Sequence, residues 1–128
     1  CLAERNKARE LLEEQGIKVI DPLRGKEYLA GKTLSRNGKP GGMDIAEIIA
    51  RDKYDLKRSD LLLILTGDDV SDGTWLEFGY ARYKLDIPVV MVAPSRIGKH
   101  GWSNYEATYI ARDLNHAVNW IANYFFVE

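Results

Sequence analysis

One carboxylate among apolar side chains, Glu77, is the residue of this chain best suited to chemistry. It lies within residues 71–81, where a polar loop leads into a predicted helix, and Trp75, Leu76 and Phe78 surround it in sequence. The free N–H groups at a helix start favour an anion or a polar sugar. A carboxylate held against apolar neighbours at a pocket mouth can act as nucleophile or acid. The competing interpretation is a first-turn glutamate stabilised by the helix dipole.

Alternating helix and strand patterns must position this carboxylate. Continuous apolar runs at 61–65 and 88–93 are typical of strands covered on both faces of a parallel sheet. Shorter strands are predicted at 17–20 and 109–111, and helices at 2–15, 43–57, 75–85 and 114–125. Asp113 suits an N-cap, and the alternative there is one long helix from residue 104. Such alternation predicts an α/β domain that binds ligands at the carboxyl ends of its strands.

Two glycines have predicted structural roles in these elements. Gly16 follows the first helix, where a left-handed cap is wanted, and Gly79 is expected to let its helix approach the sheet closely. Residues 23–42 show no sustained period and contain five of the chain's glycines, which indicates a long loop. A loop of that length in a compact domain is more often functional than idle.

The composition limits the class of protein. The chain has 128 residues, of which 45% are hydrophobic and 29% charged, and this predicts a single folded domain. A net charge of −1 offers no electrostatic footprint for nucleic acid or an anionic membrane. One cysteine excludes an internal disulfide, and no apolar run is long enough to span a bilayer. A cytoplasmic protein is therefore expected.

The residues around Glu77 carry a resemblance to a known family. The string Gly73-Thr74-x-x-Glu77-Phe78-Gly79-Tyr80-Ala81, followed by Ile87-Pro88-Val89-Val90, resembles the nucleoside 2-deoxyribosyltransferases and the related deoxynucleoside 5′-monophosphate N-glycosidases. The likeness extends back through Arg51-Asp52-x-x-x-Leu56-x-x-Ser59-Asp60 and spans residues 2–93. It implies a three-layer Rossmann/flavodoxin-like fold, with a parallel sheet of about five strands and helices on both faces.

The resemblance also implies catalytic roles. Glu77 matches the family's nucleophile, and Asp52 matches the acid that handles the proton of the leaving base. Asp55 is a rival for the role of Asp52, and the alternative for Asp52 is a solvated carboxylate on a helix face. No metal or organic cofactor is expected.

The expected substrate ligands are short polar residues in two loops. Ser71 stands six residues before Glu77, where the family's transferases have Asp and its monophosphate hydrolases have Ser, yet Asp72 follows at once. Three roles stay open: Ser71 as a phosphate ligand, Asp72 as a sugar ligand, or both as helix caps. Gly73 and Thr74 are the other expected substrate ligands in this loop. By resemblance, Ser103 and Asn104 reach into a neighbouring subunit's pocket, which implies a homo-oligomer. The alternative is a solvated basic loop.

Three functions stay open at this point. The first is exchange or cleavage of the N-glycosidic bond of 2′-deoxynucleosides, and the second is hydrolysis of the 5′-monophosphates. The third is a nucleotide-binding module without turnover, because a fold does not dictate a function. The chain begins at Cys1 with a predicted helix. In the family a central strand precedes that helix, so we expect the domain to be N-terminally incomplete in this sequence.

Overall fold

The structure is a computed structural model that describes residues 2–21, 45–66, 72–92 and 106–126. In chain order the elements are α1 (Leu2–Glu14), α2 (Ile45–Lys57), β1 (Leu62–Leu65), α3 (Asp72–Gly79), a π-helix (Tyr80–Leu85), β2 (Val89–Val92), β3 (Tyr109–Ala111) and α4 (Leu114–Phe126). None of these described helices is long and apolar enough to cross a membrane.

The described strands form one parallel sheet in the order β1-β2-β3. Leu62 lies opposite Val89 in the first pair, and Val90 lies opposite Tyr109 in the second. Parallel neighbours need a crossover, which α3 and the π-helix provide between β1 and β2. The predicted α/β class is confirmed at this level, with three strands in the described part of the chain.

The core lies on β2, whose four residues are all buried. Its side chains alternate between two clusters, as a strand covered on both faces requires. Val90 and Val92 pack in one cluster with Leu12 of α1 and with Ile121 of α4. Val89 and Met91 pack in the other with Phe78 of α3 and Ala81 of the π-helix. β2 therefore packs against α1 and α4 on one face and against α3 and the π-helix on the other.

The segment 17–20 is not a β-strand, so that prediction is wrong for the described structure. Ile17 and Val19 are half-buried and pack against the cluster that contains Leu12. The apolar spacing therefore reported burial correctly. A strand also needs a neighbour to complete its backbone ladder, and alternation of side chains alone carries no information about that neighbour.

The C-terminal elements match their prediction. β3 covers Tyr109–Ala111, and the Oδ1 atom of Asp113 accepts a 2.9 Å hydrogen bond from the His116 backbone N–H at the start of α4. This contact satisfies one of the N–H groups that a helix start leaves open. The alternative of one long helix from residue 104 is wrong, because a strand and a capped helix start interrupt it.

The helix after β1 begins earlier than predicted. α3 starts at Asp72 rather than at residue 75, and the helical path then continues as a π-helix to Leu85. Aspartate is a residue type that favours the first turn of a helix. The π-helix ends at Asp86, which adopts φ +54° and donates its backbone N–H to the Ala81 carbonyl.

The two glycines in question differ in their surroundings. Gly16 has φ +80°, which confirms the left-handed cap after α1. Gly79 does not bring its helix close to the described strands, because among the described residues a Cβ there would meet only the Tyr83 ring, at 3.9 Å. The expected close approach at Gly79 is therefore wrong, and Phe78 and Ala81 are the residues that contact the sheet cluster.

We expect opposite effects from alanine at these two positions. Gly16→Ala should lower the free energy of unfolding by about 1 kcal/mol, because an L residue is strained at positive φ. Gly79→Ala should raise it by about 0.5–1 kcal/mol, because alanine is the better helix former and finds space there. Urea denaturation of both variants measures the difference. Stabilisation by Gly16→Ala would contradict the assigned cap.

Candidate active site

The carboxyl edge of the sheet, where β1 and β2 end, is held together by Thr66. Its backbone N–H and its hydroxyl both donate to the Val92 carbonyl, at 3.1 and 2.5 Å. The two strands therefore end side by side, and α3 begins beyond this edge. α2 runs towards the opposite edge, because only residues 58–61 separate its end from β1. Both helices thus point their N-terminal halves at the carboxyl edge, where parallel α/β sheets bind ligands.

Glu77 is the sixth residue of α3 and lies in its second turn. The helix dipole acts mainly within the first turn, so it is a weak reason for a glutamate at this depth. The side chain is half-buried, and its neighbour Phe78 is buried against the sheet. Trp75 packs beside Phe78 with its ring edge-on, at 6.1 Å between centroids. Glu77 therefore lies on the flank of a helix whose inner face is aromatic.

One neighbour of Glu77 does not take part in that apolar wall. Leu76 was expected around the carboxylate, but it is 75% exposed. Successive helical residues differ by about 100°, so Leu76 points away from the face that Phe78 buries. Of the three apolar neighbours in sequence, Trp75 and Phe78 therefore lie on the inner side of the helix, and Leu76 lies on its outer side.

Asp52 lies on the inner stripe of α2. It precedes Asp55 by three residues and Leu56 by four, and both of those side chains are buried. Residues at these spacings share one helix face, so Asp52 lies one turn above them on the same face. Its side chain is half-buried. The alternative of a partly solvated carboxylate on a helix face stays open at this exposure.

A cation–π contact joins α2 to the π-helix, close in sequence to both candidate carboxylates. The Lys53 ammonium lies 5.9 Å from the centroid of the Tyr80 ring. Asp52 is the residue before Lys53, and Glu77 is three residues, about one turn, before Tyr80. Residues three apart are neighbours on a helix surface, so Glu77 lies beside the flank that faces α2.

Asp55 forms an ion pair with an arginine three residues further along the chain. Asp55 is only 4% exposed, and its Oδ1 atom accepts a 3.0 Å charge-assisted hydrogen bond from Arg58. Arg58 in turn lies over the Tyr54 ring, 5.2 Å from its centroid. A buried carboxylate needs such a partner to remain charged. These contacts favour a structural role for Asp55 at the end of α2.

Substituting the two aspartates should separate their roles. Asp55→Asn should lower the free energy of unfolding by about 1 kcal/mol, a reduced value because Arg58 is partly solvated. If Asp55 lies outside the site, kcat/KM of a reaction carried out there should stay within about twofold of the wild-type value. Urea denaturation and initial rates measure the two effects. A large loss of kcat/KM at unchanged stability would return Asp55 to the site.

The remaining predicted ligands are only partly described. Thr74 is the third residue of α3 and is half-buried, so it lies inside the helix and is not its cap. Asp72 and Gly73 are the first two residues of α3. Ser71, Ser103 and Asn104 lie outside the described residues, as does the long loop at 23–42.

Three residues near the site were not singled out from the sequence. Thr66 follows a buried strand directly, which is a usable signal for a group at the carboxyl edge. Lys53 and Tyr80 are adjacent to Asp52 and one turn beyond Glu77, but their own contact across two helices has no sequence signal. Thr66 joins the ends of β1 and β2, and the contact of Lys53 with Tyr80 joins α2 to the π-helix.

The described residues can support acid–base and nucleophilic chemistry with carboxylates. Glu77 offers an anion beside an apolar wall, and Asp52 a second carboxylate on the neighbouring helix. In the described ranges no group of three or more His, Cys, Asp or Glu side chains is arranged to hold a metal ion. Comparison with models of protein families, with curated proteins and with solved structures gives no match to this chain.

Proposed function

We propose that this protein cleaves or exchanges the N-glycosidic bond of 2′-deoxynucleosides, with Glu77 as nucleophile and Asp52 as acid. One contact supports the proposal: Lys53, the residue after Asp52 on α2, lies 5.9 Å from the ring of Tyr80, which is three residues after half-buried Glu77. The resemblance of residues 73–81 to nucleoside 2-deoxyribosyltransferases adds the substrate class. We also propose a parallel sheet of about five strands, as the resemblance implies.

The first half of the reaction forms a sugar ester. An oxygen of the Glu77 carboxylate bonds to C1′ of the sugar while the C1′–N bond breaks through a transition state of oxocarbenium character. The bonding electron pair goes to the base nitrogen, and the base leaves with a proton from Asp52 at a ring nitrogen. A carboxylate next to C1′ stabilises the positive charge that develops there.

The second half returns the enzyme to its starting state. A second base, or water, attacks C1′, and the ester bond to Glu77 breaks with its electron pair returning to the carboxylate. The attacking group loses a proton to Asp52, which is then ready for another cycle. Attack by a base gives exchange, and attack by water gives hydrolysis. Two inversions at C1′ retain the configuration of the substrate.

Analysis of the products tests the proposal and distinguishes base exchange from hydrolysis. The protein is incubated with deoxyinosine and adenine, and separately with deoxynucleoside 5′-monophosphates, and the bases and nucleosides are separated by chromatography. Hypoxanthine together with deoxyadenosine supports exchange, and free base from a monophosphate supports the hydrolase. Nucleotide binding without release of any base over hours would contradict catalysis and favour a binding module.

A further inference from the structure

The hydroxyl of Thr66 forms a hydrogen bond that the strand ladder does not need. Along the pairing of β1 with β2, the Leu62 N–H donates to the Pro88 carbonyl, and the Thr66 N–H donates to the Val92 carbonyl in the same way. The Thr66 hydroxyl donates to the same Val92 carbonyl, at 2.5 Å. Because the backbone bond alone completes the ladder, the hydroxyl bond acts on the side chain, whose direction it fixes.

That side chain lies on the face of the sheet that α3 covers. Residues two apart in a strand point to the same face, and Thr66 continues the row of Leu62 and Ile64. Both of those side chains pack in the cluster that contains Phe78 and Trp75 of α3. Thr66 therefore ends this row at the carboxyl edge, on the same side of the sheet as the helix that carries the proposed nucleophile.

The bond to Val92 decides what else Thr66 can bind. A hydroxyl has one proton and two lone pairs, and here the proton is directed at the Val92 carbonyl. Any further partner of the Thr66 oxygen must therefore donate a hydrogen bond to it. Thr66 is half-buried, so part of its surface remains accessible. Its oxygen is thus a fixed acceptor at the edge where parallel α/β sheets bind ligands.

We propose, on the basis of the function proposed above, that Thr66 Oγ1 accepts a hydrogen bond from a hydroxyl of the sugar and selects substrates that carry this hydroxyl. The 3′- and 5′-hydroxyls of a 2′-deoxynucleoside are donors that such an acceptor can bind. A threonine hydroxyl is one of the few polar groups that typically orient a ligand in an otherwise apolar pocket. A site built to bond a hydroxyl discriminates against the analogue that lacks it.

The dissociation constants of three nucleosides test this role of Thr66. They are measured by calorimetry with deoxyinosine, 2′,3′-dideoxyinosine and 2′,5′-dideoxyinosine in the Glu77→Gln protein, which should bind nucleosides without turnover. Thr66→Val, added to this protein, removes the hydroxyl at nearly constant side-chain size and should raise the constant for deoxyinosine about tenfold. For the analogue that lacks the bound hydroxyl the change should be less than about twofold, since that contact is already missing. The unaffected analogue identifies the 3′- or the 5′-hydroxyl.

Two further variants separate the loss of this contact from a damaged fold. Thr66→Ser keeps the hydroxyl and should bind deoxyinosine within about threefold of the protein that retains Thr66. Thr108→Val is the matched control, because the Thr108 hydroxyl accepts a 3.0 Å hydrogen bond from the Val89 N–H at the opposite edge of the sheet, where β2 begins. It should lower the free energy of unfolding and leave all three dissociation constants within about twofold. Urea denaturation verifies the fold of each variant.

The outcomes are distinct. Equal losses on all three nucleosides in Thr66→Val would overturn the assignment and leave Thr66 as a clamp between two strands. An unchanged constant for deoxyinosine, or a Thr66→Ser protein that binds as weakly as Thr66→Val, would also overturn it. A wild-type protein that binds deoxyinosine but releases no base would contradict only the proposed reaction, because the binding constants still decide the role of Thr66. A protein that binds none of the nucleosides would contradict both.

Discussion

Glu77→Gln should abolish base exchange and base release, with a loss in kcat on the order of 10⁴-fold or more, as expected when a nucleophile is removed. The amide keeps the size and hydrogen-bonding capacity of the side chain but lacks the anion that attacks C1′ and stabilises its developing charge. Glu77 is half-buried on the flank of α3, so the variant should fold normally. Initial rates of hypoxanthine release from deoxyinosine measure the effect.

The control for this variant is Glu10→Gln on the exposed surface of α1. It makes the same chemical change in a glutamate far along the chain from α2 and α3, and kcat should not change. Binding of the substrate to Glu77→Gln, measured by calorimetry, should persist, because the lost interaction belongs to the transition state. Full turnover by Glu77→Gln would refute the assignment of the nucleophile.

Asp52→Asn should lower kcat for nucleosides by about 10²–10⁴-fold, the usual contribution of a general acid. Asparagine cannot supply the proton that a departing base requires. The loss should therefore shrink to within about tenfold on a nitrophenyl 2-deoxyriboside, whose phenolate leaves without protonation. Glu77→Gln should remain inactive on both substrates, because it blocks the step that both share.

This pair of substrates separates an acid from a residue that only supports the fold. A structural role for Asp52 predicts equal losses on the nucleoside and on the aryl glycoside. Asp55→Asn provides the comparison on the same helix face, where the carboxylate is paired with Arg58. An equal loss on both substrates in Asp52→Asn would contradict its role as acid.

The elements that the sequence predicts best are those defined by local chemistry. The capping carboxylate of Asp113 and the apolar period of the final helix set α4 to within a residue. The run at 88–93 predicts β2 because a strand buried on both faces contains no polar position. The prediction of a strand at 17–20 is wrong because apolar alternation indicates burial, whereas a strand also needs a neighbouring strand for its backbone hydrogen bonds.

At the candidate site, the sequence indicates which side chains can do chemistry better than it predicts the side of the helix on which each one lies. Asp52 and Asp55 share one helix face, so spacing alone cannot choose between them. The arginine three residues after Asp55 was a usable signal for an ion pair. Leu76 adjoins Glu77 in sequence, yet a rotation of about 100° per residue carries it to the outer face. The change from α-helix to π-helix at Tyr80 has no counterpart in the apolar spacing.

The most direct test of the account is the covalent intermediate on Glu77. The protein is mixed with deoxyinosine without an acceptor base, quenched in acid within the first turnover, digested and analysed by mass spectrometry. We expect the peptide containing Glu77 to gain the mass of one 2-deoxyribosyl group, and adenine added before the quench to remove it as deoxyadenosine forms. Turnover at the normal rate with the sugar attached elsewhere, or with no adduct in either the wild-type protein or Glu77→Gln, would contradict the central claim.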